Sequence, residues 1–115
     1  MCGIVGITSN KEVTTRIINS LKKLEYRGYD SAGIATLKDN FINEVKCEGR
    51  VENLEKNISK INLKGNIGIG HVRWATHGKP STVNAHPHSS DKVSVVHNGI
   101  IENSTILKKI LEKKG

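Results

Sequence analysis

The sequence predicts one layered domain mixing helices and strands, of the α/β or α+β class. Three observations lead there. A length of 115 residues suffices for a single domain with its own core. Apolar residues switch between short runs and helical spacings, giving the order β-α-β-β-α-β-β-α. Eleven glycines against two prolines suit many strands and tight turns, and 36% hydrophobic residues with 3% aromatics make the core aliphatic.

Each element has its own signal. The apolar run over residues 2–7 reads as a buried strand. Ser9 followed by Glu12 is a capping-box pattern that starts a helix near Lys11. Val13, Ile17, Ile18, Leu21 and Leu24 keep one face of that helix, up to the turn at Tyr26-Arg27-Gly28. Residues 32–37 and 41–47 read as two strands joined by Lys38-Asp39-Asn40. Val51, Leu54, Ile58 and Ile61 mark a second helix, ended by Lys64-Gly65. Residues 67–73 form another strand, with Gly68 and Gly70 where something must approach its backbone closely. The polar stretch 74–90 is long for a loop in a compact domain, and such loops are usually functional. Residues 93–97 and 99–101 read as strands around Asn98-Gly99, a strong hairpin signal. A third helix starts near Asn103 or Ser104 and carries Ile106, Leu107, Ile110 and Leu111.

Composition narrows the function classes. The net charge of +7 comes from lysines spread along the chain beside glutamates, which describes solvated helix faces better than a nucleic-acid surface. Two cysteines, Cys2 and Cys47, make no disulfide framework. The first apolar run is too short for a signal peptide and nothing resembles a membrane span, so a cytoplasmic protein is expected.

Several residues are candidates for chemistry. Cys2 would become the first residue once Met1 is removed. A free α-amino group titrates near pH 8, so it can take the thiol proton and give nucleophile and base in one residue. The plain alternative is a small apolar residue in a strand. Arg73, at the end of an apolar strand, can present a rigid fork to a carboxylate or simply cap the strand. Thr76 and His77 follow in a glycine-bounded loop and offer further hydrogen bonds or loop bracing. His71, His77, His86, His88 and His97 match no usual zinc spacing, and His86-Pro87-His88 suits loop hydrogen bonding better than a metal. Asn98 and Gly99 are either a hairpin turn or two donors for a developing oxyanion.

Together these pieces resemble one family. MCGIVGI at the start, YRGYDSAGIA at 26–35, GHVRWATHGKP at 70–80, NAHPH at 84–88 and VVHNGIIEN at 95–103 stand in the order of the glutamine-hydrolysing domain of glucosamine-6-phosphate synthase, also called glutamine–fructose-6-phosphate aminotransferase (isomerizing). Relatives with the same N-terminal cysteine glutaminase include amidophosphoribosyltransferase, glutamate synthase and asparagine synthetase, which look different at YRGYDSAG and RWATHG. The resemblance implies an α+β, four-layer αββα N-terminal-nucleophile hydrolase (class II glutamine amidotransferase) fold. It implies that Cys2 is the nucleophile, that Asn98 and Gly99 form the oxyanion hole, and that Arg73, with Thr76 and His77 beside it, grips the substrate α-carboxylate. It implies that Trp74 gates ammonia, that L-glutamine is the substrate, and that no cofactor or metal takes part. Fructose 6-phosphate would be a substrate only of a homo-oligomeric full-length parent.

The family's glutaminase domain is about twice this long, so residues 1–115 are expected to be its N-terminal portion, with the fold incomplete and the isomerase part absent. The third helix is still amphipathic where the sequence stops, and the family's acidic residue for the substrate amino group has no counterpart here. A truncated, catalytically incompetent fragment, or the glutaminase of amidophosphoribosyltransferase, are the alternative readings. Uncovered apolar faces would make the isolated chain unstable or prone to aggregate.

Overall fold

The computed structural model of the chain describes residues 2–75 and 79–115. Strands β1 (Gly3–Thr8), β2 (Ser31–Lys38), β3 (Phe41–Glu48) and β4 (Ile67–Arg73) form an antiparallel sheet in the order β1-β4-β2-β3. The helices are α1 (Thr14–Leu24), α2 (Val51–Ser59) and α3 (Ser104–Lys114), and a single 3-10 turn spans Glu25–Arg27. Strands β5 (His88–Ser89) and β6 (Ser94–Val95) pair as a two-stranded ribbon.

Strand register sorts the residues between two faces, because side chains alternate along a strand. Val5 and Ile7 of β1, Val72 of β4 and Ala32, Ile34 and Thr36 of β2 share the face covered by α1 and α2. Val13, Ile17, Leu21 and Leu54 are fully buried there. Removing a buried side chain of this size to alanine costs about 2–5 kcal/mol. The helix can lie this close because β4 has glycines beneath it. A Cβ at Gly70 would stand 2.6 Å from Ile17 Cγ2, and one at Gly68 would stand 2.5 Å from Ile17 Cδ1. The close approach expected at both glycines is that of α1.

The opposite face carries Ile67, Ile69, Ala35 and Leu37 at one end and Ile4, His71, Arg73, Ser31 and Gly33 toward the other. The chain beyond β4 folds back over it. A Cβ on Gly33 would overlap the His86 carbonyl oxygen, so only glycine lets residues 86–87 lie flat on β2. The ribbon covers part of the apolar end, where Ser94 joins Leu37, Ile42, Ile67 and Ile69 around a cavity of about 160 Å³.

Three sequence expectations need correction. Helix α1 begins at Thr14, not near Lys11. Ser9 Oγ accepts the Lys11 N–H at 3.1 Å, and the Glu12 carboxylate accepts the Thr14 N–H at 2.6 Å, so the capping pattern serves a turn instead. The N–H groups of Ser9 and Val13 donate to Asn66 and Gly65 carbonyls at 2.8 and 2.9 Å, which holds residues 9–13 out of the helix. Helix α2 ends at Ser59, and Ile61 is 56% exposed, because Asn62 turns left-handed (φ 52°) and Leu63 takes the buried place. Asn98-Gly99 is not a hairpin turn: β6 pairs back with β5, and residues 99–101 form no strand.

Other expectations hold. The turn between β2 and β3 places Asp39 and Asn40 at φ 52° and 66°, the two left-handed residues of a tight hairpin. Helix α3 starts at Ser104, and its Ile106, Leu107, Ile110 and Leu111 are 41–65% exposed. Among the described residues, no helix is long and apolar enough to cross a membrane.

Candidate active site

The site forms where the start of β1 meets the end of β4. Antiparallel pairing sets Gly3 opposite Val72, so Cys2 and Trp74 become neighbours although 72 residues separate them. The Trp74 N–H donates to Cys2 Sγ at 3.4 Å, and the thiol reaches the Trp74 carbonyl at 3.8 Å. Arg27 Nε donates to the Cys2 carbonyl at 3.0 Å, fixing the first residue from the other side. The half-buried Cys2 thus has its backbone held, its sulfur against the Trp74 backbone, and a place in the wall of a cavity.

That cavity has a volume of about 350 Å³, and Cys2, Arg73, Trp74 and Gly99 all line it. Arg73 points from the last residue of β4 and is 6% exposed. Its Nη1 donates to the Lys79 carbonyl at 3.1 Å, and Asn84 Nδ2 donates to the same oxygen at 2.9 Å. A guanidinium held this way keeps a planar fork aimed at one spot, which suits a carboxylate. Trp74 is 46% exposed and meets the edge of Tyr29, with ring centroids 5.7 Å apart.

Asn98 arrives from the far side. Its Oδ1 lies 2.8 Å from Nε2 of the fully buried His71 on β4. Gly99 has φ 155°, a conformation that L side chains rarely adopt, and a Cβ there would press on the His97 ring at 3.1 Å. Beneath them His71 stacks on His86 at 4.4 Å, and His86 leans on His88 at 4.5 Å. Burial, then the neighbouring His71 and His88 and the charges of Arg73 and Lys46, push the His86 imidazole down to about 4. Burial lowers His71 and His88 in the same direction, so the stack is neutral near pH 7. Among the described residues, no group of three or more His, Cys, Asp or Glu is arranged to hold a metal.

Cys2, Arg73, Trp74 and Gly99 therefore meet in one place, whereas the Asn98 side chain is bonded to His71 and does not line the cavity. Thr76 and His77 lie outside the described residues. The sequence alone gives Asp30 no role, Gly28 only a turn and His71 only a place among histidines that match no metal spacing. Asp30 accepts from Ser31 Oγ at 3.0 Å and from the Ala75 N–H, and its own N–H donates to the Arg73 carbonyl at 3.2 Å. It clamps the chain on both sides of Trp74. Gly28 sits under the Arg73–Trp74 peptide, where a Cβ would be 2.5 Å from the Arg73 carbonyl carbon. Both belong to the YRGYDSAG stretch, which marked the resemblance without saying what the residues do.

Comparison with known proteins agrees with this geometry. No protein-family model matches the chain. Glutamine–fructose-6-phosphate aminotransferase (isomerizing) of Bradyrhizobium diazoefficiens is 56% identical over 115 residues, and that of Clostridium acetobutylicum is 57% identical over 117. The chain is homologous to the N-terminal region of this family. Each match covers all of this chain and 19% of the relative, so the chain spans about a fifth of the relatives' length. Among solved structures, glutamine phosphoribosylpyrophosphate amidotransferase of B. subtilis, complexed with ADP and GMP, superposes with a TM-score of 0.80 at 30% identity. That match covers all of this chain and 25% of that one. A structure described as the allosteric regulatory enzyme of purine biosynthesis gives 0.81 at 30% identity, over 26% of its chain. The fold is the N-terminal-nucleophile hydrolase type, α+β with an antiparallel sheet, as the resemblance implies.

Proposed function

We propose that this region hydrolyses the side-chain amide of glutamine, with Cys2 as the nucleophile. One observation carries the reading. Cys2, Arg73 and Gly99, far apart in sequence, line a single cavity of about 350 Å³. Removal of Met1 frees the Cys2 amine, which takes the thiol proton. The sulfur attacks the amide carbon, the carbon–nitrogen bond breaks, and the nitrogen leaves as ammonia with that proton. Water then cleaves the thioester to give glutamate and restore the thiol. Asn98 and the Gly99 N–H stabilise the oxyanion in both halves. Arg73 holds the substrate α-carboxylate, with Thr76 and His77 beside it.

The relatives' name supports fructose 6-phosphate as the acceptor, and the sequence resemblance suggests the rest. Residues 1–115 act as the N-terminal portion of a glutamine amidotransferase domain, Trp74 gates the ammonia, and a cytoplasmic, oligomeric enzyme delivers it to fructose 6-phosphate. The 56–57% identity to that family favours this acceptor over the one used by the 30% identical amidotransferase. The test is release of glutamate from glutamine by the protein at the length its gene encodes, beside its Cys2→Ala variant. The reading expects release that Cys2→Ala abolishes. Equal release by the two proteins overturns it.

A further inference from the structure

We propose that His71 is the positioning residue that turns the amide of Asn98 so that its NH2 group, not its oxygen, faces the Cys2 cavity. The proposal rests on the glutamine-hydrolysis reading above and assigns a task to a histidine that touches no substrate.

An asparagine side chain presents oxygen or nitrogen to a given spot depending on a rotation of its last bond, and only the nitrogen can stabilise an oxyanion. Something must choose between the two. Asn98 is exposed as a residue, so packing does not fix its amide. Among the described residues its side-chain partner is His71 Nε2, at 2.8 Å. His71 itself is fully buried on β4 and stacked on His86, so its ring has a single orientation.

The tautomer of His71 then decides the matter. Burial disfavours its charged form, so the ring carries one N–H. Its Nδ1 is buried with no hydrogen-bond partner among the described residues. A proton on Nδ1 would be a buried donor with nothing to receive it, the rarer defect in folded proteins. The proton therefore sits on Nε2 and donates to Asn98 Oδ1. With its oxygen occupied, Asn98 keeps both Nδ2 hydrogens for the cavity that its neighbour Gly99 lines, although Asn98 itself is not in that lining. The other tautomer would draw Nδ2 toward His71 and aim the amide oxygen at the developing negative charge. The unpartnered Nδ1 is thus what gives the oxyanion hole its sign.

The first test is nitrogen NMR of the His71 ring in the unaltered protein. The proposal expects a neutral ring protonated at Nε2, and a ring protonated at Nδ1 overturns it. The second is glutamine hydrolysis by His71→Leu and His71→Gln. His71→Leu should lower kcat about 100-fold, the loss expected for one oxyanion donor, with KM within about threefold. His71→Gln keeps a donor near the Nε2 position and should recover most of that loss. In an Asn98→Ala background, His71→Leu should cost nothing further. An unchanged kcat in His71→Leu, a change in KM alone, or full additivity with Asn98→Ala overturns the assignment. Should His71→Leu fail to fold, His71→Gln and the ring spectrum still decide. A wild-type protein that releases no glutamate defeats the glutamine reading instead, and the ring spectrum still reports how Asn98 is set.

Discussion

Replacing Gly28 with alanine perturbs the site without removing any of its chemical groups. Gly28 has φ −179°, an extended conformation that any residue adopts, so the substitution brings no backbone strain of its own. Its cost is contact. The new Cβ would stand 2.5 Å from the Arg73 carbonyl carbon, 2.6 Å from its oxygen and 2.7 Å from the Trp74 nitrogen. All three are backbone atoms, which cannot swing aside as a side-chain tip can. Ordinary contact begins near 3.4 Å, so the Arg73–Trp74 peptide must retreat by about 0.9 Å. The same peptide nitrogen donates to Cys2 Sγ at 3.4 Å, an ordinary length for a bond to sulfur, and the shift would disturb it. Forcing such a displacement costs about 1–3 kcal/mol of stability. Misplacing reacting groups by about 1 Å can cost about 100-fold in rate. The assay is a thermal melt beside the rate of Cys2 labelling by an electrophilic glutamine analogue. A melting point lower by several degrees with labelling slowed at least tenfold is expected. Unchanged melting with labelling within twofold of wild type would refute the argument that Gly28 exists to seat this peptide.

Arg73→Lys replaces a planar fork with a point charge, so KM for glutamine should rise about 10–100-fold, the equivalent of losing one charge-assisted hydrogen bond, with kcat little changed. A fall in kcat at constant KM would contradict the carboxylate grip. Asn98→Ala should lower kcat about 100–1,000-fold while glutamine still protects Cys2 from alkylation. Loss of that protection would mean Asn98 binds substrate in its ground state. The histidine stack predicts a pH dependence with a definite sign. His86 titrates near 4 when folded against an ordinary 6.5, so the unfolded chain binds more protons below about 6.5. The stability it contributes is complete above 6.5 and is lost as pH falls toward 4, with His71 and His88 acting in the same direction. The urea midpoint should fall between pH 7 and 5, and less steeply in His86→Asn. A midpoint that holds or rises over that range would contradict the buried, neutral stack.

Much of this architecture is legible in the sequence because β2, β3 and β4 carry local signals that tertiary structure does not override. Asp39 and Asn40 supply left-handed turn residues, and Gly68 and Gly70 announce a neighbour. The failures share a cause in long-range partners. Ser9 and Glu12 look like a capping box, but the N–H groups of Ser9 and Val13 are claimed by Asn66 and Gly65, more than fifty residues away. Asn98-Gly99 looks like a hairpin turn, but His71 takes the Asn98 side chain and β6 pairs with β5. The site divides in the same way. Cys2, Arg73 and Gly99 were nameable because each has a chemistry of its own. Asp30, Gly28 and His71 act only through what they touch, and no local pattern states that Gly28 lies beneath Arg73 or that Asp30 bonds the chain around Trp74.

The central claim is that Cys2 is a free N-terminal nucleophile facing a glutamine pocket. The most direct test is the intact mass of the purified protein after incubation with a glutamine analogue bearing a diazoketone. The account predicts loss of Met1 and one label, placed on Cys2 by fragment masses and suppressed by excess glutamine. A label on Cys47, a label that glutamine does not suppress, or an unlabelled protein that has lost Met1 would contradict it.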